Sequence, residues 1–252
     1  MKNAFHVHSF RCGHAEEVSD EEYIKTAIAL GAREIWFTDH APFPGDPFGA
    51  RMRLDDLAEY VPTLTALREK YPDIKIHIGL ETEYFPVFDS EGYYKRLKEE
   101  YGIEMLLLGQ HMAQISSGPP VRYSFSQSTE VLEKNEFRQL GEAIALGIKS
   151  GYFGAVAHPD RIFRRCSEWT EEMDMISDKI IQAAFDADIP LEINLSSLED
   201  PRFYRTRFWK RLKGIEKTII GLDAHYISEL KNRFTNADSL AGNILEIIGL
   251  KQ

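Results

Sequence analysis

Nine residues of metal-ligand type are spread along the chain: His6, His8, His14, His40, Glu81, His111, His158, Asp223 and His225. They take in seven of the eight histidines and leave out only His77. Imidazole nitrogen and carboxylate oxygen are donors that Zn, Mn and Fe accept. Nine donors exceed what one tetrahedral ion can use, so the set implies two or three divalent transition-metal ions. His6-x-His8 offers two nitrogens from one strand, and Asp223-x-His225 repeats that offset. Glu81 can bridge two ions through its two oxygens, which a neutral imidazole cannot do. Closely spaced ions lower the pKa of water and neutralise phosphate oxygens, so a protein nucleophile is not required. None is evident, because no Ser or Cys stands with a paired base in a recognisable motif. The chemistry indicated is metal-dependent hydrolysis.

The elements that must position these residues are short β-type apolar runs alternating with amphipathic stretches. The runs are Ala4–His8, Glu34–Thr38, Ile74–Leu80, Glu104–Leu108, Phe153–Ala157, Pro190–Leu195 and Thr218–Leu222. Brief apolar segments bounded by charged or turn residues suit parallel strands buried on both faces. Helices are expected at Leu54–Tyr71, Ser90–Tyr101, Leu132–Ser150, Thr170–Asp188, Pro201–Lys213 and Ala237–Leu250. Another should begin at a capping box, Ser19-Asp20-Glu21-Glu22, and end at Gly31. Pro62 is expected to split or kink the helix after strand two. Seven strand–helix units predict an α/β fold, a closed or nearly closed barrel over residues 1–252. Each of the nine residues then falls at a carboxyl-terminal strand end or in the loop beyond it, the face on which βα barrels build active sites. Strand alternation would point His6 and His8 to the same side. His77, inside a strand, reads as structural.

Around the nine, Asp39 and Asp160 adjoin His40 and His158 and are candidate proton donors or orienters of those rings. Arg161 and Arg164 follow strand five, where a planar guanidinium could grip an oxyanion through two N–H groups. Arg202, Arg205 and Arg207 form a less compelling group. Two long loops, Ala41–Met52 and Gln114–Glu130, suggest covers for a site. Glu16, Glu17 and Asp46 lie on candidate mouth loops. Cys12 and Cys166 form no CxxC and read as free thiols, Cys12 being a minor ligand candidate.

The net charge of −10, from 40 acidic and 30 basic residues, argues against nucleic acid as a partner. A small anionic substrate held mainly by metal ions remains compatible. No apolar run approaches the roughly 18 residues of a membrane span. A cleavable signal would remove the His6 and His8 pair, so the expected location is cytoplasmic. Oligomeric state leaves no trace in the sequence.

The set His6-x-His8, His14, Asp39-His40, Glu81, His111, His158 and Asp223-x-His225 resembles the PHP (polymerase and histidinol phosphatase) family of metal-dependent phosphoesterases, from residue 3 to about 225. Thr38-Asp39-His40-Ala41-Pro42 is similar to the matching segment of its compact, stand-alone histidinol-phosphate phosphatases. The resemblance implies a distorted seven-stranded (β/α)7 TIM-like barrel and a trinuclear site of Zn, Mn or Fe. It implies His6, His8, Glu81 and Asp223 on one ion, Glu81, His111 and His158 on a second, and His14, His40 and His225 on the third. The implied reaction is hydrolysis of L-histidinol phosphate to L-histidinol and phosphate, a step of histidine biosynthesis. The resemblance also implies an arginine of the loop after strand five on the phosphate, Arg164 favoured and Arg161 its near alternative, and acidic groups such as Glu16, Glu17 and Asp46 for the substrate's amine. The alternatives are a PHP phosphatase acting on phosphotyrosine protein or on a nucleotide or phosphodiester, and a non-catalytic polymerase-associated module, against which the lack of any polymerase region argues. An amidohydrolase would usually carry a carbamylated lysine after strand four, where this chain has Gly109-Gln110-His111.

Overall fold

The computed structural model describes residues 1–116, 121–124, 129–212 and 217–250, with side chains left out for 129–135. Seven parallel strands form one sheet in sequential order: β1 Asn3–Val7, β2 Glu34–His40, β3 Lys75–Thr82, β4 Met105–Leu108, β5 Phe153–Val156, β6 Leu191–Asn194 and β7 Thr218–Gly221. The last strand returns to the first. Leu222 N donates to Phe5 O at 2.8 Å, Ala224 N to His6 O at 3.2 Å and His8 N to Ala224 O at 2.9 Å. These bonds close the seam and bring Asp223 beside the His6–His8 pair. The structure is thus the expected TIM-like α/β barrel, nearly closed. The shortest of the six ladders is β5 with β6, whose register holds a single pair, Val156 with Leu191.

The helices are α1 Asp20–Ala29, α2 Leu57–Lys70, α3 Pro86–Ser90, α4 Tyr93–Glu99, α5 Thr129–Ser150, α6 Glu171–Ala187, α7 Leu195–Leu198, α8 Thr206–Trp209 and α9 Ile227–Ile247. Their apolar faces and the outward strand residues make the main core, which includes Ile24, Ile35, Tyr60, Leu80, Ile180 and Phe234. A smaller apolar plug of Phe5, Leu107, Ala155 and Ala157, flanked by Trp36, Met105 and Ile219, occupies the lumen. No helix among the described residues is long and apolar enough to cross a membrane.

Several local expectations are corrected. Ser19 makes no side-chain cap on α1, and Glu22 accepts from Lys25 rather than completing a capping box. Pro62 does not split α2. It lies on the exposed side, as does Ala58, whose carbonyl it leaves unbonded, so water can satisfy that group. The expected helix 90–101 is two short ones, and of the described residues 201–212 only Thr206–Trp209 is α-helical, residue 213 lying outside the described residues. The last helix begins ten residues earlier than expected, directly after His225. Part of the 114–130 loop is paired, with Ile115 N donating to Arg122 O at 2.8 Å; residues 117–120 and 125–128 lie outside the described residues.

Strand β1 reaches its geometry by an irregularity. Its pairs with β2 are Ala4 with Ile35 and Val7 with Phe37, so one residue more is spent on β1 than on its partner. His6 takes up the excess at φ +67°. Ala4 and Val7 therefore face the outer core while Phe5 packs in the lumen and His6 also points inward. His6 and His8 share a side by the expected alternation about Val7, and the bulge instead places the adjacent Phe5 and His6 on that same side.

Candidate metal centre and its cleft

Glu81, near the end of β3 and 1% exposed, is the hub. Its Oε2 lies 3.3 Å from His6 Nε2, 3.5 Å from His8 Nε2 and 3.2 Å from His40 Nδ1. Its Oε1 lies 2.8 Å from His158 Nε2 and 3.6 Å from His111 Nε2. Asp223 faces the other flank, its Oδ1 3.5 Å from His8 Nε2, 3.8 Å from His6 Nε2 and 3.6 Å from His225 Nδ1. The His14 ring stands 5.3 Å from His40 and 4.6 Å from His225. All nine sequence candidates therefore meet in one place. Three of them, His6, His158 and Asp223, hold positive φ of 67°, 30° and 49°, a strained conformation for such side chains that collects at functional sites.

The electrostatics suit cations. Burial alone would raise Glu81, but the surrounding His111, His6 and His40 hold its carboxyl well below the usual range. Burial opposes ionisation of Asp223 too, and Arg161 and His6 reverse it. Burial pushes the rings of His8 and His40 down, takes His158 to about 4 with Arg161 adding to it, and takes His225 to about 3 with His8 adding to it. His6 differs: burial disfavours its charge, but Glu192, Glu81 and Asp223 carry it well above the ordinary value. Neutral imidazoles and ionised carboxylates are the donor states a metal needs.

The buried ring nitrogens His6 Nε2, His8 Nδ1, His8 Nε2, His40 Nδ1 and His225 Nε2 have no hydrogen-bond partner among the described residues. Orphaned nitrogens at such a density are costly unless something else binds them, and divalent ions fit. Donor atoms lie within 4.8 Å of one another in four sets: His6, His8 and Glu81; His40, Glu81 and His111; His14, His40 and His225; and His8, Cys12 and His225. The first and third match groupings that the family resemblance implied. In the second, His40 stands where His158 was expected, although His158 touches Glu81 directly. Cys12 is fully buried, and burial pushes its thiol up to about 12.

The supporting residues were mostly invisible in the sequence. Glu83, just beyond the end of β3, has its Oε1 3.0 Å from His111 Nδ1. Arg51 holds Glu83 with two prongs at 3.0 and 3.1 Å and donates to Ala41 O, which ties the 41–52 loop to the site. That loop is pinned further by Phe43 against Phe48, Phe85, Phe88 and Tyr93. Glu192 of β6 meets His6 Nδ1 at 2.6 Å and His158 N at 2.9 Å. Room for the hub carboxylates comes from two glycines: a Cβ on Gly109 would sit 1.9 Å from Glu81 Oε1, and one on Gly221 1.7 Å from Glu192 Oε1. From α9, the buried Arg233 guanidinium donates to the carbonyls of Leu222 and Asp223, and Glu229 accepts from His225 N.

Asp39 and Asp160 are not placed as orienters of the neighbouring rings. Asp39 accepts from Ser9 N at 2.6 Å and Ser9 Oγ at 3.0 Å, with burial raising it to about 7. Asp160 accepts from Arg205 N and Trp209 Nε1, with burial raising it to about 6. In both cases the backbone carries the carboxylate to the outer side of the barrel wall. Arg164 lies behind the site, donating to His111 O at 2.9 Å and facing Glu136.

Above the donors opens a cleft of about 370 Å³, lined by His14, His40, His111, Asp223, His225, Met112, Ser196, the loop residues Gly49, Ala50 and Arg51, and Arg161. Arg161 reaches Asp223 Oδ2 at 2.9 Å, Asn194 Oδ1 at 3.1 Å and Ser197 Oγ at 2.8 Å through Nη2, and its Nη1 has no partner among the described residues. Of the two arginines Arg161, on the 3-10 turn Pro159–Phe163, lines the cleft and Arg164 does not. Glu16, Glu17 and Asp46 are not among the lining residues. Glu16 instead accepts from Ile227 N at the start of α9. Arg202, Arg205 and Arg207 bond to Asp200, to the Phe163 carbonyl and to Asp174 respectively.

Comparison with known proteins agrees with this geometry. Over 165 residues, 62% of its length, the chain is 25% identical to the "Probable histidinol-phosphatase" of Deinococcus radiodurans, and over 98 residues, 36% of its length, it is 30% identical to the histidinol-phosphatase of Bacillus subtilis. These matches span 59% and 37% of those two relatives. The fold is that of the histidinol phosphate phosphatase of Lactococcus lactis subsp. lactis, whose crystal structure is a complex with Zn, L-histidinol and phosphate; TM-score is 0.71 at 22% identity, covering 96% of this chain and 93% of that one. The PHP domain model matches residues 4–196, and with most of the chain so covered the protein belongs to the PHP domain family.

Proposed function

We propose that this protein is a metal-dependent phosphomonoesterase whose leading substrate is L-histidinol phosphate. The observation that carries the reading is the convergence of nine donors, with buried ring nitrogens left without partners among the described residues, beneath a cleft walled by a guanidinium. His6, His8, Glu81 and Asp223 would hold one ion, Glu81, His111 and His158 a second, and His14, His40 and His225 the third, His40 lying close enough to Glu81 to serve between the last two. When bound, two or three divalent transition-metal ions supply Lewis acidity for in-line attack of water on phosphorus.

The chain's own residues do the rest. Arg161 offers the free Nη1 to a phosphate oxygen from a guanidinium already fixed by Asp223, Asn194 and Ser197, so little side-chain entropy is lost on binding. Arg51 and the backbone of Gly49 and Ala50 close the opposite wall and narrow the space left to water. Glu83 steadies His111 from behind. Asp39 and Asp160 do not protonate the leaving group, since their carboxylates face Ser9 and Trp209.

The relatives' names point to histidinol phosphate, which carries an ammonium and an imidazole. One feature favours a broader phosphomonoesterase as the second reading: the acidic residues expected to meet that ammonium do not line the described cleft. A substrate panel decides between them. Metal-loaded protein should hydrolyse L-histidinol phosphate with kcat/KM at least tenfold above phosphotyrosine peptide and nucleoside monophosphates, and leave a diester intact. Similar rates on every monoester would support the second reading, and turnover of the diester alone would contradict both.

A further inference from the structure

Six strands or their following loops each supply at least one of the nine donors. Strand β6 supplies none, yet its sequence, Leu191-Glu192-Ile193-Asn194, places a carboxylate and an amide in the fully buried lumen. A buried carboxylate needs partners, and Glu192 has three. Oε1 faces His6 Nδ1 at 2.6 Å, while Oε2 accepts from His158 N at 2.9 Å and from Asn194 Nδ2 at 2.9 Å. Asn194 Nδ2 also points to Asp223 Oδ2 at 3.2 Å, and Asn194 Oδ1 accepts from Arg161. Gly221 on β7 leaves the space that Glu192 Oε1 occupies.

We infer that Glu192 is a positioning residue that sets the His6 tautomer, holding the proton on Nδ1 so that Nε2 presents a lone pair to the ion shared with His8 and Glu81. An ionised carboxylate only accepts hydrogen bonds, so the ring nitrogen facing Oε1 must be the one that carries the proton. The opposite nitrogen, Nε2, is buried, has no hydrogen-bond partner among the described residues and lies 3.3 Å from Glu81 Oε2. The same carboxylate clamps the His158 amide, where the backbone is at positive φ and the β5–β6 ladder has only one registered pair. Strand β6 thus fixes donors on β1 and after β5 without touching an ion. This inference rests on the metal-centre reading of the nine residues, but not on the identity of the substrate.

Donor bookkeeping makes the test sharp. In Glu192→Gln the amide oxygen must stay on the His158 side, because the backbone N–H there cannot become an acceptor. The new NH2 group then faces His6 Nδ1 and donates to it, forcing the ring proton onto Nε2. Every hydrogen bond survives, the shape is unchanged, and one imidazole is presented the wrong way round. Metal-stripped protein titrated with Zn against a competing chelator should show one ion bound 10–100-fold more weakly in Glu192→Gln. The ion that draws on His158 should keep its parent affinity, and saturating Zn should restore kcat. A second readout needs no variant: in Zn-loaded parent protein carrying 15N-labelled histidine, His6 should show a protonated Nδ1 and a ligated Nε2. Unchanged affinity for every ion in Glu192→Gln, or an unprotonated Nδ1 on His6 in the parent, would overturn the assignment. Should the variant not fold, the parent spectrum alone decides. A protein that binds Zn as described but hydrolyses no phosphomonoester would defeat the proposed function and leave this inference standing.

Discussion

Gly109→Ala is the smallest change that should dismantle the centre. Gly109 follows β4 and is held to Thr82 O by a 3.2 Å backbone hydrogen bond, so it cannot easily recede. The added Cβ would lie 1.9 Å from Glu81 Oε1, 2.5 Å from Cδ and 2.7 Å from Cγ. Ordinary contact needs roughly 3.5 Å, so the carboxylate must retreat by about 1.5 Å. Five imidazole nitrogens lie within 3.6 Å of the Glu81 oxygens, and metal–ligand bonds tolerate errors of only about 0.2 Å. Overpacking of this kind costs about 1–3 kcal/mol of stability, which the fold can absorb. A misplaced reacting group costs on the order of 100-fold in rate, which turnover cannot. Gly154→Ala is the control, since its Cβ would meet only the flexible Met105 side chain, Cγ at 2.9 Å. Elemental analysis, a thermal melt and phosphate release measured on both variants give the comparison. Gly109→Ala should lose more than half its metal and about 100-fold in kcat/KM while still melting cooperatively, with Gly154→Ala close to the parent. A Gly109→Ala protein with full metal content and parent turnover would refute the placement of Glu81 as the shared ligand.

Arg161→Ala should keep its metals and lose about 2–4 kcal/mol of transition-state stabilisation in kcat/KM, with Arg161→Lys recovering only part. Arg164→Ala should show the opposite balance in a denaturant titration, losing about 1–3 kcal/mol of stability because the His111 carbonyl and Glu136 lose a charged donor, with a smaller effect on rate. Glu81→Gln should release more than one ion by elemental analysis. His77→Gln should release none, since His77 stacks on Trp36 at 3.8 Å and pairs with Glu34 and Glu104 away from the centre. Arg51→Ala, by taking the two-pronged guanidinium from the buried Glu83 and leaving it only the His111 ring, should destabilise by about 3–5 kcal/mol in the same titration.

What the sequence made legible follows from chemistry that is local. Parallel strands buried on both faces are short apolar runs, so all seven could be located, and the donors at their ends marked the working face. What it hid depends on partners distant in the chain. Glu192 in a strand reads as an outward polar residue until His6, 186 positions away, closes on it. Glu83 and Arg51 are likewise 32 residues apart. The His6 bulge was hidden because His-x-His already satisfies strand alternation, and only the register against β2 exposes the extra residue. Arg161 and Arg164 differ by less than one helical turn, so which of them faces the cleft depended on the 3-10 turn after His158. Asp39 and Asp160 adjoin ligand-type histidines in sequence, yet their backbone sends them to the outer wall.

The account's central claim is that phosphate release depends on the metal centre built from these nine residues. Its most direct test is release from L-histidinol phosphate by chelator-stripped protein as Zn or Mn is returned stepwise, with metal content measured at each step. The stripped protein should be inactive, and activity should rise until two to three ions are bound per chain. Hydrolysis that survives stripping, or that reaches its maximum below one ion per chain, would contradict the claim.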